Sequence, residues 1–93
     1  MSLDDIQAFL IVAKTKSFSA AALRLRVAQS SLSKRVQRLE QHFGTPLFIR
    51  HGRGVSLTEA GTVLLARSEQ LLQDIEDIEH DVPGLVTEPP GLV

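Results

Sequence analysis

The sequence predicts a mostly α-helical fold, with a three-helix core, a short β-hairpin and a long last helix. Three observations lead to this prediction. Apolar residues recur at helical spacing along residues 3–15, 29–43 and 58–82. Two short apolar runs flank the glycine-containing stretch His51-Gly-Arg-Gly54. The third observation is a heptad pattern in the last helical segment. Ninety-three residues are enough for one small domain.

The first two helices are predicted from periodicity and capping. Apolar side chains of residues 3–15 fall on one stripe, which is typical of an amphipathic helix. A second helix is expected over residues 20–25, which begin with a run of alanines of high helix propensity. Ser19 is its predicted N-cap, because a serine hydroxyl can accept from the free amides of the first turn. Phe18, just before this cap, is expected to pack on Leu23 as a hydrophobic staple.

The third predicted helix, residues 29–43, follows a connection of only three residues, 26–28. So short a connection makes consecutive helices cross steeply, as in a helix-turn-helix. Ala28 is at the N-cap position without a side-chain acceptor, which costs about 1 kcal/mol relative to Ser or Asp. Gly44 and Pro46 are expected to end the helix. Its predicted buried face consists of Leu32, Val36, Leu39 and Phe43.

A β-hairpin is predicted over residues 47–57. Residues 47–50 and 55–57 are short strand candidates, and the glycines between them permit a tight turn. A hairpin that follows a helix-turn-helix is a wing. Residues 1–57 are therefore predicted to form a winged helix-turn-helix domain.

Residues 58–82 are predicted to form one long helix that begins at the cap Thr58 and stops before Pro83. Its apolar residues recur at steps of four and three, which is the seam of a coiled coil. One small core cannot cover so long a stripe, so we expect a homodimer. Burial against the first helix is the alternative, for Leu64 and Leu65. The residues predicted at the dimer interface are Leu64, Ser68, Leu71, Leu72, Ile75, Ile78 and Val82.

Charge is distributed unevenly along the chain. Residues 1–67 hold all ten cations against four acids, a net charge of +6, whereas residues 68–93 hold seven acids and no cation. This asymmetry predicts a polyanionic partner for the first part only. The N-terminal segment carries acids where a secretory signal has cations, and no apolar run reaches membrane-spanning length. We therefore expect a cytoplasmic protein with no membrane association.

The third helix offers a surface for that partner. Opposite its apolar stripe it carries serine, glutamine and cations and no acid, and these side chains can donate to phosphates and to base edges in the major groove. A merely solvated face is the commoner explanation for a single helix. The short turn, the positive charge and a wing that carries Arg50 and Arg53 together favour DNA. Arg50 and Arg53 are expected in the minor groove or on phosphates, with a solvated wing tip as the alternative for Arg53.

Five stretches in register resemble one known family. They are A-A-x-x-L in the second helix, Q-S-S-L-S-K at the start of the third, L-E near its end, G-x-x-L-F-x-R entering the wing and L-T-E-A-G opening the last helix. Over residues 3 to about 82, the sequence resembles the N-terminal DNA-binding domain of LysR-type transcriptional regulators. The chain departs from the family at Ala28, where Ser is common, and at Ser30, where Pro is common. Ser30 in place of Pro is expected to change which DNA base this position contacts.

The resemblance implies transcriptional regulation by a dimer on a dyad-symmetric, double-stranded promoter site. A tetramer in a full-length protein is an alternative to the dimer. Residues about 29–43 are the implied recognition helix, and residues 47–57 are the implied wing on the backbone or minor groove. Together with the helix-face argument, this predicts as DNA-binding residues Gln29, Ser30, Ser31, Ser33, Lys34, Arg38, Arg50 and Arg53.

The resemblance also implies a C-terminal effector-binding domain. Residues 83–93 are rich in proline and glycine and are predicted to form a hinge toward it. Gly91-Leu92-Val93 is similar to the start of that domain's first strand, so we expect a truncated form of a longer regulator, with a natural short product as the alternative. No cofactor is expected in this chain. A small-molecule effector is expected to bind only the absent domain.

Other function classes have less support in the sequence. There is no cysteine, and the three histidines lack ligand-like spacing, so no metal site is predicted. No pattern places Ser, His and Asp in a cleft, and we expect no catalytic residues and no enzymatic activity. The alternative that stays open is a dimeric protein-interaction module that uses the same polar helix face.

Overall fold

The structure, a computed structural model, describes residues 1–82. The predicted hinge, residues 83–93, lies outside the described residues, and so does the strand start predicted at its end. Within residues 1–82 the fold has four helices and one antiparallel hairpin, which confirms the predicted mostly α-helical winged architecture. In chain order the elements are α1 (Leu3–Thr15), α2 (Phe18–Leu25), α3 (Gln29–Phe43), β1 (Phe48–His51), β2 (Gly54–Leu57) and α4 (Glu59–Asp81).

Helix α1 has the predicted bounds. Ser2 is its N-cap, and the Ser2 hydroxyl accepts a hydrogen bond from the Asp5 amide at 3.2 Å. Lys16 ends the helix in the left-handed conformation with φ 59°, and the Lys16 amide donates to the Val12 carbonyl at 2.8 Å. This left-handed cap turns the chain sharply, so that α2 begins only two residues later.

The predicted start of α2 is wrong. Ser17 is the N-cap, since its hydroxyl accepts from the Ala20 amide at 3.1 Å. The helix therefore includes Phe18, whose ring lies edge-on to that of Phe48 with the centroids 5.8 Å apart. The predicted staple does not form, because Leu23 is 81% exposed. Phe18 packs into an aromatic cluster of the core instead of against its own helix.

The turn into α3 is tight, as predicted. Arg26 is left-handed with φ 58°, and the Val27 amide donates to the Ala22 carbonyl at 3.1 Å. At the other end of α3, Gly44 has φ 69° and provides the predicted left-handed C-cap. The prediction that Phe43 lies on the buried face of α3 is wrong, because this residue is 44% exposed. It lines a shallow apolar groove between the end of α3 and the start of α4.

The wing is tied to the helical core at both of its ends. The strands pair from Phe48 opposite Leu57 to His51 opposite Gly54, about one residue from the predicted strand bounds. At the start of the wing, the carboxylate of Glu40 accepts from the Leu47 amide at 2.7 Å. Near its turn, the Val55 amide donates to the Lys16 carbonyl at 3.1 Å. Gly54 has φ 127°, and a Cβ there would overlap the same Lys16 carbonyl. The position therefore requires glycine.

Helix α4 begins at the predicted cap Thr58. The Thr58 hydroxyl accepts from the Gly61 amide at 3.0 Å and donates to the Pro46 carbonyl at 2.8 Å, which fixes the start of α4 against the entry to the wing. Twenty-three residues give α4 a length of about 35 Å at 1.5 Å per residue. Among residues 1–82, no helix is both long enough and apolar enough to cross a membrane.

Candidate nucleic-acid interface

The polar face of α3 is directed outward because its apolar face is fixed in the core. Leu32, Val36 and Leu39 are buried, and α3 packs against α1 and α2. Glu40, the one acid of α3, turns toward the wing, where the Leu47 amide holds its carboxylate. The exposed face therefore carries no acid. Of the predicted DNA-binding residues on α3, Ser33 is half-buried and the exposed ones are Gln29, Ser30, Ser31, Lys34 and Arg38.

The start of α3 lacks a side-chain cap, as the sequence predicts. Ala28 is extended, with φ −67° and ψ 141°, and makes no side-chain hydrogen bond to the first turn. The first amides of a helix carry partial positive charge and, without a cap, can donate to an anion or to water. This end of α3 therefore adds hydrogen-bond donors to the polar face.

Arg38 makes a contact that sequence reasoning missed. Its Nη2 donates to Oδ1 of Asp5 at 2.9 Å and its Nε donates to Oδ2 at 3.3 Å, a bidentate pair between α3 and α1. The Asp5 side chain is 4% exposed, whereas that of Arg38 is 57% exposed. A guanidinium has five N–H donors, so Arg38 retains donors toward solvent while Asp5 fixes its orientation.

This pair also sets the protonation behaviour of Asp5. The hydrogen bond from Arg38 lowers the pKa of the Asp5 carboxyl below its ordinary value of 3.8, in opposition to the effect of burial. Asp5 therefore stays ionised to a lower pH than an ordinary aspartate does, which keeps the pair intact. The two residues are 33 positions apart, and no local sequence pattern connects them.

The two predicted wing cations lie in different environments. The guanidinium carbon of Arg50 stands 4.2 Å from the centroid of the Phe18 ring, a cation–π contact that fixes its position on β1, one residue pair before the closing pair of the hairpin. Arg53 is exposed in the two-residue turn between β1 and β2. Neither makes an ion pair with any residue of the described chain. Both positive charges are therefore available to an anionic partner.

A cleft of about 250 Å³ joins the wing to the starts of α2 and α3. Its charged or ionisable lining residues are Arg50 and His51, and no acid lines it. Sequence reasoning included Gln29 and Arg50 but missed three polar residues of this cleft, which are Ser17, Ser19 and His51. The serines could have been suspected from their place at a helix start, whereas the position of His51 depends on the hairpin register.

His51 links the wing turn to β2. Its Nδ1 lies 3.3 Å from the Arg53 amide, which donates to it, and its Nε2 lies 2.8 Å from the hydroxyl oxygen of Ser56. Ser56 stands diagonally across the hairpin, since it pairs with Ile49. The ring thus connects the tip of the wing to the opposite strand.

The predicted dimer residues on α4 divide into two groups. Leu64 and Leu72 are half-buried and pack against the core of their own chain, together with Leu65. Leu71, Ile78 and Val82 are exposed by 39%, 54% and 47%, and Ile75 is half-buried. The exposed group forms an apolar stripe on the second half of α4.

Ser68 departs from its predicted place in a dimer seam. It is 2% exposed because it faces its own domain, so a partner cannot reach it. Its hydroxyl has no hydrogen-bond partner among residues 1–82. The heptad pattern located it correctly on the apolar side of α4 but could not say which apolar surface it meets.

Comparison with known sequences identifies relatives. The sequence profile described as "Bacterial regulatory helix-turn-helix protein, lysR family" matches residues 3–62. The HTH-type transcriptional regulator GltR of Bacillus subtilis (strain 168) is 43% identical over 77 residues, which cover 83% of this chain and 26% of GltR. An uncharacterised HTH-type transcriptional regulator in the ibpB-leuC intergenic region of Azotobacter vinelandii is 44% identical over 94 residues, covering 94% of this chain and 65% of that protein. The chain thus spans about a quarter of GltR and less than two thirds of the Azotobacter protein.

Solved structures with the same fold include complexes with DNA. The BenM DNA-binding domain in complex with catB site 1 DNA matches with a TM-score of 0.86 and 28% identity, covering 96% of this chain and all of that one. The CbnR DNA-binding domain in complex with DNA matches with a TM-score of 0.82 and 31% identity, covering 87% of this chain and 93% of that one. With the profile match over most of residues 1–82, these similarities establish that the chain belongs to the lysR family of bacterial regulatory helix-turn-helix proteins.

Proposed function

We propose that this chain is the sequence-specific DNA-binding part of a transcriptional regulator. Helix α3 enters the major groove of double-stranded promoter DNA, and the wing lies along the backbone or minor groove. The observation that carries the proposal is the acid-free polar face of α3, exposed beside a wing whose two arginines have no acidic partner in the described chain. The relatives named as transcriptional regulators, and the BenM and CbnR domains solved with DNA, support it.

Two kinds of contact follow from the residue positions. Lys34 lies on the exposed face in the first half of α3, where a cation reaches base edges such as those of guanine. Arg53 is at the wing tip and Arg50 is on β1 near the tip, where cations meet phosphates or the minor groove. Lys34 is therefore expected to contribute to specificity, and Arg53 to affinity for any duplex.

The test is the selection of duplexes from a randomised pool, followed by fluorescence anisotropy on the best selected duplex and on a random one. Affinity should fall steeply with salt, because each neutralised phosphate releases counterions. Lys34→Ala should weaken the selected duplex more than the random one. Arg53→Ala should weaken both alike and reduce the salt slope by about 1.

Lys14→Ala is the matched control, because it removes the same charge from an exposed position on α1, in a hollow with Leu25 and Leu72 that no residue of α3 or the wing lines. It should change neither affinity by more than about twofold, since a distant surface charge acts only through screened long-range attraction. If no duplex is retained even at low salt, the proposal is wrong and a protein partner for the polar face becomes the better explanation. Equal losses from Lys34→Ala and Lys14→Ala would refute the assigned roles.

We further propose that the chain binds a dyad-symmetric site as a homodimer formed through α4. On a helical projection at 100° per residue, Ala60, Leu64, Leu71 and Ile78 fall within about 40° of one another. The apolar groove beside Phe43 lies on the same side of the helix. An antiparallel pair of α4 helices would place the exposed second half of each over the groove beside the first half of the other, and would present two recognition helices.

No small-molecule site is proposed in residues 1–82. The relatives extend far beyond the matched region, so an effector, where one acts, is proposed to bind a portion of a longer protein.

A further inference from the structure

Two hydrogen bonds at the wing tip determine which tautomer the His51 imidazole adopts. The Arg53 amide can only donate, so the Nδ1 of His51, 3.3 Å away, must accept and cannot carry a proton. In a neutral imidazole the proton then lies on Nε2, where it can be donated to the Ser56 hydroxyl oxygen at 2.8 Å. Both ring nitrogens are satisfied only in this one neutral tautomer.

The contact with Arg53 resembles a common turn device. A side-chain acceptor that binds the amide two residues later holds the chain in a turn, as Asn and Asp do in Asx-turns. His51 and Arg53 have this spacing, with Gly52 between them. Gly52 has open space around it, and the His51–Gly54 strand pair and the Val55–Lys16 hydrogen bond hold only the residues that flank Gly52 and Arg53. The imidazole thus adds a side-chain restraint on the turn itself, at the Arg53 amide.

We propose that His51 is a positioning residue for Arg53: the Nε2–H tautomer ties the turn to Ser56, so that the Arg53 guanidinium is held ready for a duplex phosphate. The inference rests on the proposed DNA binding. In this inference His51 affects DNA binding through Arg53 and needs no contact of its own with DNA. An ordered cation binds with a smaller entropic loss than a freely moving one.

The chain allows a discriminating set of variants. His51→Ala removes both hydrogen bonds and should weaken binding to a fluorescein-labelled duplex, selected with the unaltered chain, by about fivefold, equivalent to one lost hydrogen bond. His51→Asn keeps an acceptor at the right spacing for the Arg53 amide and should retain most of the affinity. Ser56→Ala removes only the second hydrogen bond and should cause a smaller loss than His51→Ala.

A double-mutant cycle separates positioning from a general structural role. In an Arg53→Ala background, His51→Ala should cause no further loss, because the side chain that it positions is absent. A full additional loss in that background would overturn the inference, and so would a His51→Asn variant as weak as His51→Ala. A wild-type chain that selects no duplex would instead contradict the proposed function itself.

The free protein provides a test that needs no DNA. Long-range ¹H–¹⁵N correlation spectra of the 93-residue chain distinguish the two imidazole tautomers. The His51 ring is expected as the Nε2–H form in neutral solution, and the Arg53 amide should exchange faster with solvent in His51→Ala than in His51→Asn. A predominant Nδ1–H form would refute the arrangement, whether or not the chain binds DNA.

Discussion

Gly61 is the position where the structure makes the sharpest prediction about a single methyl group. It lies in the first turn of α4, and its amide donates to the Thr58 cap at 3.0 Å. A Cβ at this position would overlap the Leu47 carbonyl oxygen and would lie 2.9 Å from Cδ2 of Leu57. The Leu47 carbonyl cannot easily retreat, because it accepts from the Thr58 amide at 3.0 Å. Gly61→Ala must therefore displace α4 from the entry to the wing.

The size of the effect follows from three contributions. Forcing a methyl group into packed structure costs about 1–3 kcal/mol. Loss of the Thr58–Leu47 hydrogen bond adds about 1 kcal/mol. The higher helix propensity of alanine returns about 1 kcal/mol. The free energy of unfolding should fall by about 1–3 kcal/mol, which for a domain of this size lowers Tm by roughly 4 °C or more.

The assay is urea unfolding followed by far-ultraviolet circular dichroism, with all variants at one protein concentration because the proposed dimer would make stability concentration-dependent. Gly52→Ala is the matched control: it makes the same chemical change where no atom lies within 4 Å of the new Cβ, so it should stay within about 0.5 kcal/mol of wild type. A Gly61→Ala chain as stable as Gly52→Ala would refute the close approach of α4 to Leu47.

Three further predictions concern other parts of the fold. Because the folded-state pKa of Asp5 lies below its ordinary 3.8, the Asp5–Arg38 pair stabilises the fold above that value and loses this contribution as pH falls through the lowered pKa. Asp5→Asn should therefore have a lower Tm than wild type at neutral pH, and this difference in Tm should disappear in acid. A difference in Tm that stays constant with pH would contradict the pair. Ser68→Ala should raise the free energy of unfolding by about 1 kcal/mol, because it removes a buried hydroxyl with no partner in the described chain; a loss in urea unfolding would reveal a missed contact. Ile78→Glu should shift the proposed α4 dimer toward monomer in analytical ultracentrifugation, since Ile78 is 54% exposed and its change need not perturb the core; a dimer unchanged by this substitution would exclude the stripe as the interface.

Predictions from local signals agreed well with the structure. The bounds of α1, the uncapped start of α3 at Ala28 and the cap at Thr58 were all predictable, because helix periodicity and capping involve residues at most four positions apart. The start of α2 was not, although Ser17 and Ser19 are both good caps. The Phe18 ring decided between them by packing on Phe48, which is 30 positions away.

The candidate site shows the same division between local and distant contacts. The polar face of α3 could be read from spacing alone, since its buried residues determine which side remains outside. The salt bridge between Arg38 and Asp5 could not be predicted from spacing, and neither could the cation–π contact of Arg50 with Phe18. These contacts depend on how the helices and the wing cross, and no local pattern records that crossing.

By itself, the sequence determined which segments become helices, which side of each is apolar, and that one face of α3 is basic and free of acid. Hydrophobic periodicity and charge depend on residues that are close in the sequence, so they can be predicted without the tertiary structure. Only the tertiary structure decided which cations are held in place, which apolar residues of α4 remain for a partner, and that Ser68 faces inward. Those outcomes depend on which distant surfaces meet when the core closes, and close packing allows few arrangements.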